Sequence, residues 1–303
     1  MKIFRFVIIT ILLYMCVSIF MNSIEITNSV IFSFDIWKKN IFPSLFPFFV
    51  ISNILINYGF VDILSKIFKP ITKLLKVSEN SSFVIVMGLL SGCPSSSKYV
   101  KELVDKKIIS KSEASKVLTF THFSNPLFVI NTIGYSFLGN IKIGFIVLIV
   151  HYISNFIVGL LFRNYKIETT KNNITNNYNN NLGKIITDSI NSGINTLLLI
   201  LGTVSFFLIV TTIINNSLSI NSFLSSIISG IFEMTQGLKY VSLLNVSLKI
   251  KAILSVMFIS FGGISIHVQT FSIINESNIK YSPFLIARII HSIIAGILMF
   301  IIL

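Results

Sequence analysis

The sequence predicts an all-α polytopic membrane protein made of two inverted-topology repeats, each with a broken, re-entrant helix. Three observations carry this prediction. The 303 residues are 53% hydrophobic and only 12% charged, with a mean hydropathy of +0.84, where a soluble domain carries about 25% charged residues. Apolar runs long enough for a hydrocarbon core of ~30 Å alternate with shorter ones interrupted by glycine or proline. Lysine is shared unevenly, with ten between residues 59 and 116 and four between 215 and 282. By the positive-inside rule the first interval faces the cytoplasm and the second the outside, so corresponding parts of the halves point in opposite directions.

Residues 6–21 form the first span. Lys2 and Arg5 precede it, but it is long for a signal-peptide core and no A-x-A-like cleavage site follows, which predicts a retained helix with a cytoplasmic N-terminus. Residues 22–36, with Glu25 and Asp35, are expected outside, and residues 41–57, with Pro43 and Pro47 near their start, lead back in. In residues 60–77 an apolar stripe alternates with Lys66, Lys69, Lys73 and Lys76. This is a basic amphipathic helix, kinked at Pro70, whose place is either the anionic headgroup layer or, as a solvated linker, against the protein itself.

Residues 82–90 reach about 13 Å, under half the core, so this segment enters without crossing. Gly92 and Pro94 break it, and residues 98–116 return the chain to the same side. A span at 117–138 is interrupted around His122, Asn125 and Pro126, and 143–162 is a full span carrying His151 and Asn155. Residues 164–181 hold eight asparagines and read as a loop between the halves.

The second half repeats the order with a span at 185–214, an amphipathic stretch at 223–241, a short helix at 252–261 broken at Gly262 and Gly263, and a last span at 283–303 that returns inside. Residues 250–274 either re-enter or form one kinked span, and the second alternative reverses everything after it. The units are then 1–33, 34–162, a linker at 163–184, and 185–303.

Paired breaks in inverted halves point to a solute site near the membrane midplane. After the first break Ser95, Ser97 and Lys98 offer hydroxyls, a cation and free helix N–H groups for a polar or anionic solute, or simply cap their helix. His122 and Asn125 form a polar pair inside the bilayer. Ser265, His267 and Gln269 alternate after the second break and are expected to face the same cavity. Arg288 is within snorkelling reach of the outer surface, with His291 on its helical face. His151 and Asn155 are expected to bond between helices, and Glu233 is the acidic residue nearest membrane depth in the second half. Cys16 and Cys93 provide neither a disulfide framework nor a thiolate metal site. No metal or cofactor is expected, no motif points to nucleic acid, and no metalloprotease, paired-aspartate or nucleophile-elbow pattern points to an enzyme. The expected partners are membrane lipids and a small polar solute, with the oligomeric state open.

The stretch S-G-C-P-S-S-S-K at 91–98, S-N-P-L-F-V-I at 124–130, F-G-G-I-S-I-H-V-Q at 261–269 and P-F-L-I-A-R-I-I-H at 283–291 resemble sporulation integral membrane proteins of the YlbJ type. Those belong to the wider nucleoside-recognition or Gate-domain group. The resemblance implies a transporter-like fold and a role in endospore formation, in the mother-cell-derived membrane around the forespore, affecting the cortex. Cys93 and Ser96 stand where the family commonly has an aromatic residue and a glycine. The alternative function is a membrane scaffold for spore-envelope assembly that moves nothing.

Overall fold

The computed structural model describes residues 2–168, 181–218 and 220–303. Among them every regular element is helical. Six helices are long and apolar enough to cross a membrane. Most of the asparagine-rich linker expected at 164–181 lies outside the described residues.

The first helix, α1 (Lys2–Met21), is followed by α2 (Ser23–Ile36), a π-helical turn (Trp37–Ile41) and α3 (Phe42–Asn57). These three run as one 35-residue helix, which corrects the expected external loop at 22–36. The acidic residues do not break it, because Asp35 pairs with Lys39 one turn on, at 3.4 Å. It lies antiparallel to α10 (Leu182–Ser217). Asn22 meets Asn216, Ser29 meets Thr212 at 2.6 Å, Ser33 meets Ser205 at 2.7 Å, and the Trp37 indole donates to the Leu197 carbonyl at 2.9 Å. Helices of 35 and 36 residues measure about 52–54 Å and overshoot a ~30 Å core. The hydroxyls along their seam hold the pair together beyond the apolar layer.

The basic stretch forms α4 (Phe60–Ile67) and α5 (Lys69–Leu75), with the break at Phe68 where Pro70 opens the second helix. Val61, Leu64 and Leu75 are buried, Ile63, Ile67, Ile71 and Leu74 are exposed, and all four lysines face out. Next, α6 (Ser82–Ser91) and α7 (Ser95–Asp105) form the expected re-entrant hairpin. The following crossing is made of α8 (Lys111–Leu118), a non-helical stretch at 119–125 and a π-helix (Phe128–Phe137). α9 (Ile141–Leu161) runs back.

In the second half α11 (Ser222–Phe232) and α12 (Met234–Leu243) fold back on each other, and α13 (Leu248–Phe261) and α14 (Gly263–Asn275) form one 28-residue span with a break at Gly262. The last helix is α15 (Ser282–Ile302). The second re-entrant hairpin is therefore α11–α12, in the stretch expected to be amphipathic, and residues 252–269 cross instead. The cause is a glycine contact between α11 and α12, where a Cβ on Gly237 would lie 2.2 Å from the Gly230 Cα. Two glycines let the helix backbones touch, as small residues do in membranes.

Contacts define the two ends. At one, Lys106 donates to Asn57 at 2.6 Å, Ser277 donates to the Asp105 carboxylate at 2.5 Å, and the Lys280 N–H donates to Ser115. At the other, Leu138, Ile143, Ala252, Met299 and Leu303 pack together. The C-terminus thus lies opposite the lysine-rich end, reversing the expected inward return of the last helix, because 248–275 crosses. The order hairpin, broken crossing, straight helix occurs twice with opposite direction, which is compatible with inverted repeats.

Polar caps start the helices. Ser110, Asn140, Asn181, Asn221, Glu233 and Ser247 each accept from N–H groups of the helix they begin. Lys116 closes two others, donating to the Lys76 and Arg163 carbonyls at 2.7 Å each, at the ends of α5 and α9. Lys116→Met is expected to lower stability by about 2 kcal/mol, from two lost charge-assisted bonds. Thermal unfolding in detergent checks this, and an unchanged midpoint refutes it.

Candidate functional site

A stretch without helix at membrane depth leaves backbone groups that must be satisfied from elsewhere. For residues 119–124 the N–H groups of Thr119, Phe120 and Phe123 find nearby backbone carbonyls, while the carbonyls of residues 119–122 and 124 are satisfied by side chains from other elements. Arg288 donates to the Thr119 carbonyl, Asn155 to those of Phe120 at 2.9 Å and His122 at 3.2 Å, and Ser96 to that of Thr121 at 2.5 Å. Tyr152 donates to the carbonyls of Ser124 and Leu89 at 3.3 and 3.2 Å. The Ser124 N–H donates to His151 Nε2 at 3.0 Å, so His151 carries its proton on Nδ1 and donates it to Ser260. Arg288 also bonds Asn155 Oδ1 at 3.1 Å and His291 Nδ1 at 2.7 Å, and His291 donates to the His151 carbonyl.

Arg288 was expected to snorkel outward. It is instead fully buried, because the unwound stretch offers acceptors that hydrocarbon does not. His151 and Asn155 make the inter-helix bonds expected of them.

Each hairpin tip meets a break in the other kind of element. A Cβ on Gly92 would lie 2.5 Å from the Asn125 backbone nitrogen, and Gly92 has φ +84°. Asn125 donates to the Ser91 carbonyl at 3.2 Å and accepts from the N–H groups of Leu127 and Phe128, which starts the π-helix after Pro126. In the second half Glu233 forms the tip and caps α12, accepting from the Thr235 and Gln236 N–H groups at 2.8 and 3.0 Å. The tip lies against Gly263, whose Cβ would stand 3.0 Å from the Met234 nitrogen. The two breaks touch as well, since a Cβ on Gly262 would lie 3.0 Å from His122 Nε2.

Where these parts converge is a cavity of about 70 Å³. Cys93 and Pro94 of the first tip, Ser124 and Asn125, Met234 and Thr235 of the second tip, and Gln269 line it. Asn40 and Ser44 close it from α2–α3. Ser124 Oγ and Gln269 Nε2 are buried without a hydrogen-bond partner, as are Ser95 Oγ and Lys98 Nζ nearby.

Of the expected residues, Asn125 and Gln269 line the cavity and the others do not. Lys98 is 4.6 Å above the Phe49 ring, beneath the floor, because its helix turns it toward α3. Ser97 faces Thr270 at 3.3 Å, Ser265 faces Glu233 at 3.5 Å, and His122 packs on Phe284. His267 accepts from Tyr281 at 2.6 Å and donates to the Phe261 carbonyl, so it joins α14 to α15 and does not face the cavity. Sequence reading missed Asn40, Ser44 and Thr235. The signal for the last was the E-M-T-Q cap at 233–236, an acidic residue before a helix start. Among the described residues no group of three or more His, Cys, Asp or Glu could hold a metal ion.

A family model described as nucleoside recognition (Gate) matches residues 39–141. The sporulation integral membrane protein YlbJ of Bacillus subtilis (strain 168) is 30% identical over 87% of this chain and 74% of its own length. The chain belongs to the YlbJ family of sporulation integral membrane proteins. In this family member the Gate match takes in the first hairpin, the unwound stretch, the π-helix and more than half of the cavity wall. No solved structure matches the chain.

Proposed function

We propose that the chain binds and passes a small, uncharged polar solute between its hairpin tips, with the lysine-rich end in the cytoplasm, in a membrane of the developing spore that affects the cortex. The observation that carries this reading is the cavity itself. Both tips and both sides of the fold reach it, its wall is mostly apolar, with Ile41, Leu45, Phe128, Ile200, Val204 and Ile266 around a few amides and hydroxyls, and none of its lining residues is charged. Burying an ion there without a partner costs far more than burying a hydroxyl that finds one. Ser124 and Gln269 have the hydrogen-bonding capacity such a solute needs. The family description names nucleosides, which are uncharged and hydroxylated and carry a hydrogen-bonding base. At about 70 Å³ the cavity is below the 300–1,000 Å³ of ordinary ligand sites, so the tips must part for a molecule of that size.

The test is thermal stabilisation of the purified protein by uridine, adenosine and simple sugars, with nucleoside monophosphates as charged controls. Stabilisation by an uncharged compound is expected, weakened about 10-fold in apparent affinity by Gln269→Ala, roughly the loss of one hydrogen bond to the solute. No shift with any compound, together with normal sporulation of a Ser124→Ala, Asn125→Ala, Gln269→Ala strain, overturns transport in favour of a scaffold.

A further inference from the structure

Four cavities lie end to end along one face of the α2–α3 helix. The outermost, about 250 Å³, is walled by Glu25, Asn28 and Phe32. The second, about 290 Å³, takes Phe32, Asp35, Lys39 and Asn40. The third, about 270 Å³, takes Lys39, Asn40, Pro43 and Ser44. The fourth is the central cavity, which again includes Asn40 and Ser44. Each shares wall residues with the next, and the three-to-four-residue spacing keeps the whole series on one helix face. From Glu25 to Ser44 this covers about 29 Å, from the end of the molecule opposite the lysines to its centre.

The facing wall also carries polar side chains, set among apolar ones such as Phe128 and Phe137. The π-helix contributes Asn131, Thr132 and Ser136, and α12 contributes Gln236 and Tyr240 at the mouth. A groove meant for lipid tails would not present amides, hydroxyls and the Asp35–Lys39 pair, because polar groups unsatisfied in hydrocarbon cost several kcal/mol. Both π-helical segments, at Trp37–Ile41 and Phe128–Phe137, border the same stretch, and such segments are frequent at functional sites. On the lysine-rich side, Phe49 is fully buried one turn beyond Leu45 of the cavity wall, with Lys98 on its ring. The cavity is therefore closed on that side and continuous with the groove on the other.

We infer that this face is a water-filled conduit through which solute reaches the central cavity from the outer surface, with Asn40 and Thr132 as its selecting constriction. Asn40 belongs to three of the four cavities, and Thr132 faces it in two. The route rests on the solute reading of the cavity, but its test needs no solute.

In a Cys16→Ser, Cys93→Ala background, Asn28→Cys, Asn131→Cys and Ser44→Cys are introduced singly. A charged, membrane-impermeant methanethiosulfonate is then applied to sealed vesicles of either orientation, with folding checked by size exclusion. All three cysteines are expected to react from the face opposite the lysine-rich end. Adding Thr132→Trp is expected to slow Ser44→Cys at least 10-fold and to leave Asn28→Cys unchanged. Reaction of Ser44→Cys from the lysine-rich face alone overturns the conduit. So does reaction with a lipid-soluble maleimide but not with the charged reagent, which would mark a lipid-filled cleft, and so does indifference to Thr132→Trp. These outcomes leave the binding measurements on the cavity untouched, so the two readings fail separately.

Discussion

Arg288→Ala is expected to destabilise the protein by about 4 kcal/mol, lowering its thermal midpoint by roughly 10 °C. The guanidinium is fully buried and donates to the Thr119 carbonyl, Asn155 Oδ1 and His291 Nδ1. Truncation leaves three acceptors in a dry interior without donors, at about 1–3 kcal/mol each, and relief of the buried charge offsets part of the sum. No salt bridge among the described residues includes Arg288, so its role is to satisfy an unwound backbone. Arg288→Met separates the two effects. If the bonds matter, methionine fails as alanine does; if charge burial dominates, methionine restores or raises stability. Unfolding in detergent followed by a thiol-reactive dye distinguishes them, and a wild-type midpoint for Arg288→Ala refutes the account.

Gly92→Ala is expected to cost about 3 kcal/mol and to open the first tip. Two penalties combine: a side chain at φ +84° and ψ −176°, a region essentially reserved for glycine and worth about 1–3 kcal/mol, and a Cβ placed 2.5 Å from the Asn125 backbone nitrogen, which cannot yield as a flexible side chain would. Gly139→Ala is the internal control, since Gly139 also has positive φ, +63°, but no atom lies within 4 Å of its added Cβ. Its expected cost is the strain alone, about 1 kcal/mol. Equal effects at the two positions would show that the approach of tip to break contributes nothing.

Much of the first half was legible. Short apolar length before Gly92 and Pro94 marked the α6–α7 hairpin, Asn125-Pro126 marked the unwound crossing, and Pro70 marked the break between α4 and α5. The second half misled because its conspicuous glycines, Gly262 and Gly263, break a helix that still crosses, while its hairpin turns on Glu233, inside the stretch at 223–241 expected to be amphipathic. Depth is the missing quantity. A cap and a membrane tip have the same local sequence, and what distinguishes them is the packing of Gly230 on Gly237.

The same limit explains the site. Asn40 and Ser44 look like ordinary polar residues near a helix start, and only the position of α2–α3 beside both tips makes them a wall. Lys98 and His267 look like ligands, and only the neighbouring rings, Phe49 under the lysine and Phe261 beside the histidine, withdraw them.

By itself the sequence determined that the chain lives in a membrane, which end carries the lysines, where the first hairpin breaks and to which family it belongs, because hydropathy, charge and helix-breaking residues act locally. The tertiary structure alone decided which broken helices cross and which turn back, what Arg288 bonds and which polar residues share a cavity. Those outcomes depend on partners brought together from distant parts of the chain: in hydrocarbon an unwound backbone persists only where side chains from other helices complete its hydrogen bonds.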